Sequence, residues 1–336
     1  MNIHSSNVIT EPKNMSNTSK IVLITGATAG IGRFTALHLA KRGHHVIASG
    51  RKVAELTKLR EEAAALVLPN GDRAKLDTVI LDVTSQTSIV AAQLEIAALT
   101  AGRGPDVLVN NAGFGILGPT SEIDDSEMRR QYETNVFGLM NVTRAFLPKM
   151  RERRSGRIVN VSSLGGLMTL PYFGVYNSTK YAIESLSDAL RFELRAFNID
   201  VALVEPGVIR TNFEATAVDG LDRFSKTPYG PAIAKYEKMS KQADRFASEP
   251  IVVAKAIARA VEARRPAARY MAPFFSNQMV MFMKAILPQR VWDWALRTVA
   301  NLDAKTLGTD KPAIEVSDAP SITPATRKAQ PEVRAN

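Results

Sequence analysis

Cysteine is absent from the 336-residue chain, which excludes disulfide bonds and thiolate metal sites and favours a reducing compartment. Histidine is scarce, and the four that occur, His4, His38, His44 and His45, lack the H-E-x-x-H spacing of a zinc site. No run of about 18 apolar residues is present, so no membrane-spanning helix is expected. The polar N-terminus also lacks the apolar segment of a secretory signal peptide. Together these absences predict a cytoplasmic protein without a metal site.

Overall composition is ordinary, with 45% hydrophobic and 23% charged residues, as in a globular protein with a sizeable core. The formal net charge of +10 would suit an anionic partner, such as a phosphorylated cofactor, a membrane surface or nucleic acid. We favour the alternative that the charge is scattered and serves solubility. The densest basic run, RERRSGR at 151–157, ends a helical pattern and has no interleaved aromatic residues. Nucleic acid is therefore not an expected partner.

Apolar strand patterns alternate with helical patterns between residues 20 and 272. Strands are predicted at 20–26, 44–50, 78–83, 106–113, 156–163, 199–207 and 268–272. Helices are predicted at 31–43, 52–66, 86–99, 125–152, 175–197 and 249–264. This order predicts an α/β protein with a single doubly wound Rossmann domain, whose parallel sheet carries helices on both faces. Ligands of such sheets bind at the carboxyl ends of the strands.

The segments around this predicted domain at 20–272 differ from it in composition. Residues 1–19 are predicted to form a disordered N-terminal arm. Residues 302–336 contain four prolines and few large apolar side chains, so we expect a disordered tail there. A charged insertion at 210–248 contains two prolines and is predicted to be a substrate lid.

A C-terminal helical extension is predicted at 273–301. It carries an apolar stripe at helical spacing, formed by Met279, Phe282, Met283, Ile286 and Leu287. We favour packing of this stripe on the domain or over the substrate cleft. A peripheral membrane contact through 274–300, with Lys284, Arg290 and Arg297 near the headgroups, is one alternative. A dimer contact is another.

A glycine-rich turn, TGATAGIG at 25–32, joins the first predicted strand to the first helix. Its glycines permit a tight turn and the close approach of a phosphate to the helix N-terminus. The second strand ends in Gly50 and Arg51, where NAD-binding sites usually carry an acidic residue. An arginine can bind a 2′-phosphate that a carboxylate would repel, so the sequence favours NADP(H) over NAD(H).

Short polar side chains also end the next two predicted strands. Asp82 and Val83 end the third strand, and Asn110 ends the fourth. Such side chains can line an adenine site or cap the local turn, and the spacing leaves both roles open.

The segment YNSTK at 176–180 places Tyr176 four residues before Lys180, on one face of a predicted helix. A neighbouring ammonium group favours the phenolate and should lower the tyrosine pKa from its usual value of about 10. Such a tyrosine can exchange the proton that accompanies hydride transfer to a carbonyl. Ser163, at the end of the fifth strand, can donate a hydrogen bond to the same oxygen.

These motifs together resemble the short-chain dehydrogenase/reductase family over residues 20–272. The motifs are TGATAGIG, LDV, NNAG, a helical Asn135, Ser163 thirteen residues before Tyr176, Lys180, and PGVIRT at 206–211. The resemblance implies a catalytic tetrad of Asn135, Ser163, Tyr176 and Lys180. Tyr176 would be the acid/base, Lys180 would also bind the nicotinamide ribose, and Asn135 would hold a relay water.

The resemblance also implies the cofactor site. Its residues would be Gly26, Thr28, Gly30, Ile31, Gly32, Arg51, Asp82, Val83, Asn110, Ala112, Gly113, Tyr176, Lys180, Pro206, Gly207, Ile209 and Thr211. Among them Ile209 and Thr211 would contact the nicotinamide carboxamide, and Asp82 and Val83 would flank the adenine.

The sequence therefore predicts an NADP(H)-dependent oxidoreductase that acts on an apolar ketone or secondary alcohol. The segment PGVIRTNF resembles hydroxysteroid and retinol dehydrogenase-like members of the family. We expect a homodimer or homotetramer. The alternatives are a catalytically silent dinucleotide-binding regulator and a protein associated with a membrane surface.

Overall fold

The computed structural model describes residues 19–211, 220–243 and 247–309. This part of the chain contains seven strands: β1 (Ile21–Ile24), β2 (His45–Gly50), β3 (Leu76–Ile80), β4 (Val107–Asn110), β5 (Gly156–Val161), β6 (Ile199–Pro206) and β7 (Arg269–Ala272). They form one sheet in the order β3-β2-β1-β4-β5-β6-β7. Every adjacent pair is parallel, so all the strands end at the same edge of the sheet.

Helices cover both faces of this sheet. They include α1 (Gly30–Lys41), α2 (Val53–Ala64), α3 (Gln86–Leu99), α4 (Asp125–Tyr132), α5 (Leu139–Glu152) and α6 (Gly174–Glu193), followed later by a helix at Ile251–Glu262. In β1, Val22 and Ile24 join the apolar cluster shared with α1 and Ile251–Glu262, whereas Leu23 joins the cluster shared with α3 and α5. Strand side chains alternate between faces, so an unbroken apolar strand supplies both cores. The predicted doubly wound α/β fold is confirmed.

The predicted helix at 125–152 is interrupted. One π-helical turn, Glu133–Gly138, separates α4 from α5. This turn lies close to the loop after β3, since a Cβ atom on Gly138 would be only 2.7 Å from Val83 Cγ2. Turns of this kind are rare and are frequent at functional sites.

The described part of the predicted lid is ordered and contains a helix, Gly230–Ala243. Its side chains share an apolar cluster with the loops that follow β4 and β5. The cluster comprises Ile116, Leu117, Ile123, Tyr172, Val175, Leu221, Phe224, Ile233 and Ala300. The remainder of the predicted lid, residues 212–219 and 244–246, lies outside the described residues.

The C-terminal extension forms two helices, Phe274–Ile286 and Gln289–Val299. We expected the apolar stripe of this extension to pack on the domain. It does not, since Met279 and Phe282 are more than half exposed. Asn277 and Lys284 face the domain instead, and they donate hydrogen bonds to the carbonyl oxygens of Glu205 and Leu167. The domain offers backbone acceptors at this position, which require donors rather than methyl groups.

Beyond the extension, residues 304–307 form one helical turn, and Lys235 Nζ donates to Thr306 Oγ1 over 2.8 Å. The prediction of disorder from residue 302 is therefore wrong for this turn. Residues 1–18 and 310–336, which include most of both predicted disordered ends, lie outside the described residues. Among the described residues, no helix is both long and apolar enough to cross a bilayer.

Candidate active site

The glycine-rich turn after β1 is packed directly against the loop after β4. Gly26 has a φ of +66°, and a Cβ atom there would lie 2.8 Å from Ala112 Cα. A Cβ atom on Gly32 would lie 2.5 Å from Asn111 Nδ2. These contacts leave no space for a side chain at either glycine. They fix the path of the turn at the N-terminus of α1, where backbone N–H groups can bind a phosphate.

Two residues that sequence reasoning missed hold this turn in place. The Thr25 hydroxyl accepts hydrogen bonds from the backbone N–H groups of Asn111 and Ala112, both over 3.0 Å. Asn111 Nδ2 donates to the carbonyl oxygens of Thr25 (2.9 Å) and Gly26 (3.2 Å). The sequence did contain a signal for both residues. Thr25 directly precedes Gly26, and Asn111 lies inside the NNAG segment.

The ends of β2 and β3 form the far side of the candidate cofactor site. Thr28 packs over Gly50, where a Cβ atom would lie 2.6 Å from Thr28 Cγ2. The Arg51 side chain is 73% exposed, and its Nη1 lies 3.8 Å from Asp82 Oδ2. Burial opposes ionisation of Asp82, but hydrogen bonds from Thr84 and the neighbouring Arg51 hold the pKa of this carboxyl below its usual value. Such an exposed ion pair is weak, so Arg51 can turn to another anion.

Asn110 occupies a different position from its neighbours in the NNAG segment. Its side chain is buried, and Nδ2 donates to Thr143 Oγ1 (3.0 Å) and Asn160 Oδ1 (2.9 Å). This side chain ties β4 to α5 and β5 rather than facing the glycine turn. Val83 is likewise buried, against the π-helical turn.

Tyr176, Ser163 and Lys180 meet at the carboxyl end of β5. The Tyr176 and Ser163 hydroxyls share a hydrogen bond. Ser163 Oγ also accepts from Gly165 N–H over 3.0 Å, which leaves its own proton free to be donated. Lys180 Nζ lies 5.7 Å from the centre of the Tyr176 ring and donates to the carbonyl oxygen of Val161 over 3.0 Å.

The pKa of Tyr176 is shifted in the direction opposite to our expectation. Burial raises it to about 12, although the hydrogen bond from Ser163 works in the other direction. Burial also lowers the pKa of Lys180 to about 8, while Glu184, one helical turn further on, raises it. Both side chains are buried, so withdrawal from water outweighs the influence of the cation on the phenol.

Asn135 lies in the π-helical turn and is fully buried. Its Oδ1 accepts from Phe114 N–H over 3.0 Å, and its Nδ2 donates to the Phe114 carbonyl (2.9 Å) and to Thr179 Oγ1 (3.1 Å). A Cβ atom on Gly113 would lie 3.1 Å from Asn135 Oδ1 and 3.9 Å from Lys180 Nζ. Gly113 therefore keeps the space between these two side chains open.

Asn177, within the YNSTK segment, positions the loop of Ser163. Its Nδ2 donates to the carbonyl oxygens of Gly165 (2.6 Å) and Met168 (2.9 Å). Sequence reasoning assigned no role to this residue. The structure buries Asn177 on the inner face of α6, and a buried asparagine side chain requires hydrogen-bond partners.

The segment PGVIRT leaves β6 and reaches the glycine turn. Pro206 ends the strand opposite Ala272, and Ile209 is buried and forms a bridge with Ser248. Thr211 Cγ2 lies 3.6 Å from the position of a Cβ atom on Gly30. This segment and the glycine turn thus lie side by side in the candidate cofactor site.

The structure brings most of the predicted site residues to one edge of the sheet. Ile31 is half-buried on α1 against the core, and the side chains of Asn110 and Val83 face inward. Among the residues the structure describes, no three His, Cys, Asp or Glu side chains stand together as a metal site would require.

Comparison with known proteins gives the family. The sequence profile described as short chain dehydrogenase matches residues 20–222, more than half of the chain. The chain is 33% identical to 3-ketodihydrosphingosine reductase of Bacteroides thetaiotaomicron, over 83% of this chain and 97% of the relative. It is 36% identical to human 17-beta-hydroxysteroid dehydrogenase type 1, over 74% of this chain and 76% of the relative.

Among solved structures, a single-residue variant of actinorhodin polyketide ketoreductase with NADPH superposes with a TM-score of 0.62. It is 28% identical, and the match covers 76% of this chain and 96% of that protein. The fold, the profile match and these relatives agree, and the chain belongs to the short-chain dehydrogenase family.

Proposed function

We propose that this protein is an NADP(H)-dependent oxidoreductase that interconverts a ketone and a secondary alcohol on an apolar, lipid-like or steroid-like substrate. One observation carries the proposal. The hydroxyls of Tyr176 and Ser163 are hydrogen-bonded to each other, beside a buried ammonium group of Lys180. This arrangement suits proton transfer to a carbonyl oxygen and stabilisation of the charge that develops on it.

The residues present fit a dinucleotide. Gly26 and Gly30 both have positive φ values in the turn that leads into α1, so its backbone N–H groups can approach a pyrophosphate. Gly113 leaves open the space in front of Asn135 and Lys180, where a nicotinamide ribose would lie. These features support the binding of a nicotinamide cofactor across the edge of the sheet.

Arg51 supports the choice of NADP(H). It stands at the carboxyl end of β2, where an acidic residue would repel a 2′-phosphate. Its guanidinium is mostly exposed and has only a long contact with Asp82, so it can form charge-assisted hydrogen bonds to a phosphate. The name of the ketoreductase structure includes NADPH, which agrees with this assignment.

Each of the four side chains at the end of β5 and on the neighbouring helices would have its own role in reduction of the carbonyl. The bound cofactor supplies the hydride for the carbonyl carbon. Tyr176 donates its proton to the carbonyl oxygen, and its high pKa keeps that proton available throughout the neutral range. Ser163 donates a hydrogen bond to the same oxygen, and Lys180 holds positive charge near the tyrosine. Asn135 fixes the loop at Phe114 on one side and α6 on the other, through Thr179.

An apolar substrate is supported by the surroundings of Tyr176. Val175, the preceding residue on α6, belongs to the apolar cluster that joins Leu117 to Leu221 and Phe224. These side chains are buried, so the part of the core that packs beside Tyr176 at the start of α6 is apolar. The names of the two relatives specify a keto group on a sphingosine and a hydroxyl group on a steroid.

Replacing Tyr176 by phenylalanine tests the mechanism. A screen of steroids, retinoids, fatty aldehydes and sugars, followed by NADPH absorbance, first identifies a substrate. Tyr176→Phe should then lower kcat by about 10²-fold or more, because general acid catalysis contributes about this much or more. NADPH binding, measured by fluorescence, should change little.

Tyr181→Phe is the matched control for this experiment. Tyr181 lies on the same helix, is 41% exposed and does not stand four residues before a lysine. It should retain the turnover of the wild type. Near-normal turnover of the Tyr176→Phe protein on the same substrate would overturn the proposed mechanism.

A further inference from the structure

The two C-terminal helices concentrate exposed apolar side chains. Among the described residues, 19 large hydrophobic side chains are exposed, and nine of them lie between residues 274 and 299. The most exposed of these nine are Phe275 (86%), Met279 (64%), Phe282 (62%) and Trp294 (62%). Isolated apolar side chains on a surface are ordinary, but such a concentration marks an interaction surface.

Four of the exposed side chains on the first helix form one face. At about 100° per residue, Phe275, Met279, Phe282 and Ile286 fall within an arc of about 60°. Asn277 and Lys284 lie on the opposite side of the helix, where they bond to the domain. The exposed face is therefore not a packing surface of this domain.

The second helix, Gln289–Val299, is separated from the first by two residues and carries mainly basic charges. Arg290 and Arg297 are exposed, stand two turns apart on the second helix and flank Trp294. Asp293 is the one acidic residue between 274 and 299, and its carboxylate accepts a hydrogen bond from Gln289 over 2.6 Å. Lys284 is turned toward the domain, so it is not among the cations that the membrane-contact alternative placed near the headgroups.

We propose that this surface, defined by Phe275, Met279, Phe282, Ile286 and Trp294 with Arg290 and Arg297, docks the protein on an anionic lipid bilayer. The helices have 13 and 11 residues, so they are about 20 and 16 Å long, too short to cross a bilayer core of about 30 Å. Apolar and aromatic side chains enter the interface while arginines contact phosphates.

Charge favours a bilayer over a second copy of the chain. A twofold dimer would bury this face against its own copy, and Asp293 is the one acidic residue between 274 and 299 that such a copy would offer to the arginines. An anionic lipid surface instead complements both these arginines and the net charge of +10.

The underside of the docking surface touches the candidate active site. Asn277 Nδ2 donates to the Glu205 carbonyl over 3.1 Å, and the Asn277 side chain packs on Gly207 at the start of the PGVIRT segment. Lys284 bonds to Leu167, four residues after Ser163. A bilayer on the outer face would therefore lie one helix diameter, about 10 Å, from these loops.

Vesicle flotation of the full chain tests the proposal. The vesicles contain phosphatidylcholine alone, or phosphatidylcholine with about 30% phosphatidylglycerol. The wild type should float with the anionic vesicles, and binding should weaken as salt rises. Phe275→Ser/Phe282→Ser should reduce partitioning at least about ten-fold, because two large apolar side chains are lost from the interface. Arg290→Gln/Arg297→Gln should also reduce it.

The matched control is Leu94→Ser/Phe192→Ser, since these side chains are 70% and 69% exposed on α3 and α6. This variant should float like the wild type. Thermal unfolding and NADPH binding of each variant report whether the fold is retained, and Phe275→Ser alone serves if the double variant is unstable.

Three outcomes would overturn the proposal. The first is a wild type that binds neither kind of vesicle. The second is equal loss of binding in the control and in the docking-surface variant. The third is a wild-type dimer in sedimentation velocity that Phe275→Ser/Phe282→Ser converts to monomer without any flotation of either protein, which would assign the surface to a second copy. None of these measurements depends on the proposed catalytic function.

Discussion

The charge of Lys180 should set the upper pH limit of ketone reduction. Burial lowers the pKa of this ammonium group to about 8, against the opposing effect of Glu184. Burial raises the pKa of Tyr176 to about 12, with the Ser163 hydrogen bond acting in the opposite direction. As the pH rises through 8, the protein keeps its proton donor and loses its cation.

The size of the effect follows from the pKa of Lys180. With a value of about 8, about nine-tenths of the molecules carry the Lys180 charge at pH 7 and about one-tenth at pH 9. Reduction at pH 9 should therefore be about ten-fold slower than at pH 7. Alcohol oxidation needs the tyrosinate as a base, and its fraction grows about ten-fold per unit well below pH 12. Between pH 6 and 8 oxidation should thus become faster, while reduction changes little.

The assay is steady-state turnover from pH 6 to 10 at saturating cofactor and constant ionic strength. Lys180→Arg supplies the control, because a guanidinium stays charged across this range. Its maximal rate can fall through altered geometry, but the decline above pH 8 should disappear. A wild-type reduction rate that is constant from pH 7 to 9.5, or the same decline in Lys180→Arg, would refute this reasoning.

Two further variants probe the cofactor site and the lysine. Arg51→Ala should raise KM for NADPH about ten-fold or more, since hydrogen bonds to charged groups contribute about 1.5–3 kcal/mol, and should leave KM for NADH nearly unchanged. An equal change for both cofactors, or a wild-type preference for NADH, would contradict the assignment of Arg51 to the 2′-phosphate. Glu184→Gln should shift the alkaline decline of reduction to lower pH, because the carboxylate that raises the Lys180 pKa is removed; an unchanged or higher midpoint would show that Glu184 does not act on Lys180.

The strands were predictable because each is marked by a short run of apolar residues, which is a local property of the sequence. Val22, Leu23 and Ile24 are all apolar, and the structure divides them between two cores on opposite faces. The order of strands is not a local property. β1 pairs with β4 as well as with β2, and Thr25 meets Val109 across 84 residues of chain. No period in the sequence encodes that pairing.

The candidate site was predictable only in part. Tyr176 and Lys180 share a helix face by spacing alone, and the glycines of the first turn have a steric reason to be glycines. The π-helical turn that carries Asn135 has no residue signature, since it depends on contacts with Phe114 and Val83. The pKa of the tyrosine was predicted with the wrong sign because burial is set by tertiary packing.

The C-terminal extension was misread for a related reason. Its stripe of Met279, Phe282 and Ile286 has the period of a core helix, and a core helix was the favoured prediction. Periodicity shows that one face is apolar but not what covers it. The deciding feature was the polar pair on the other face, Asn277 and Lys284, because backbone carbonyls of the domain accept from both.

An ion cluster that contains two buried carboxylates connects this extension to Lys180. Arg269 on β7 binds Glu184 and Glu205, and it donates to Asp188 over 2.8 Å. Glu205 is fully buried, and its carbonyl accepts from Asn277 of the extension, while Glu184 acts on the pKa of Lys180. Removing one member of such a cluster leaves an unpaired buried charge, which costs more than the pair contributes. The last strand and the helix Phe274–Ile286 therefore contribute to the charged environment of Lys180, although neither carries a residue of the proposed tetrad.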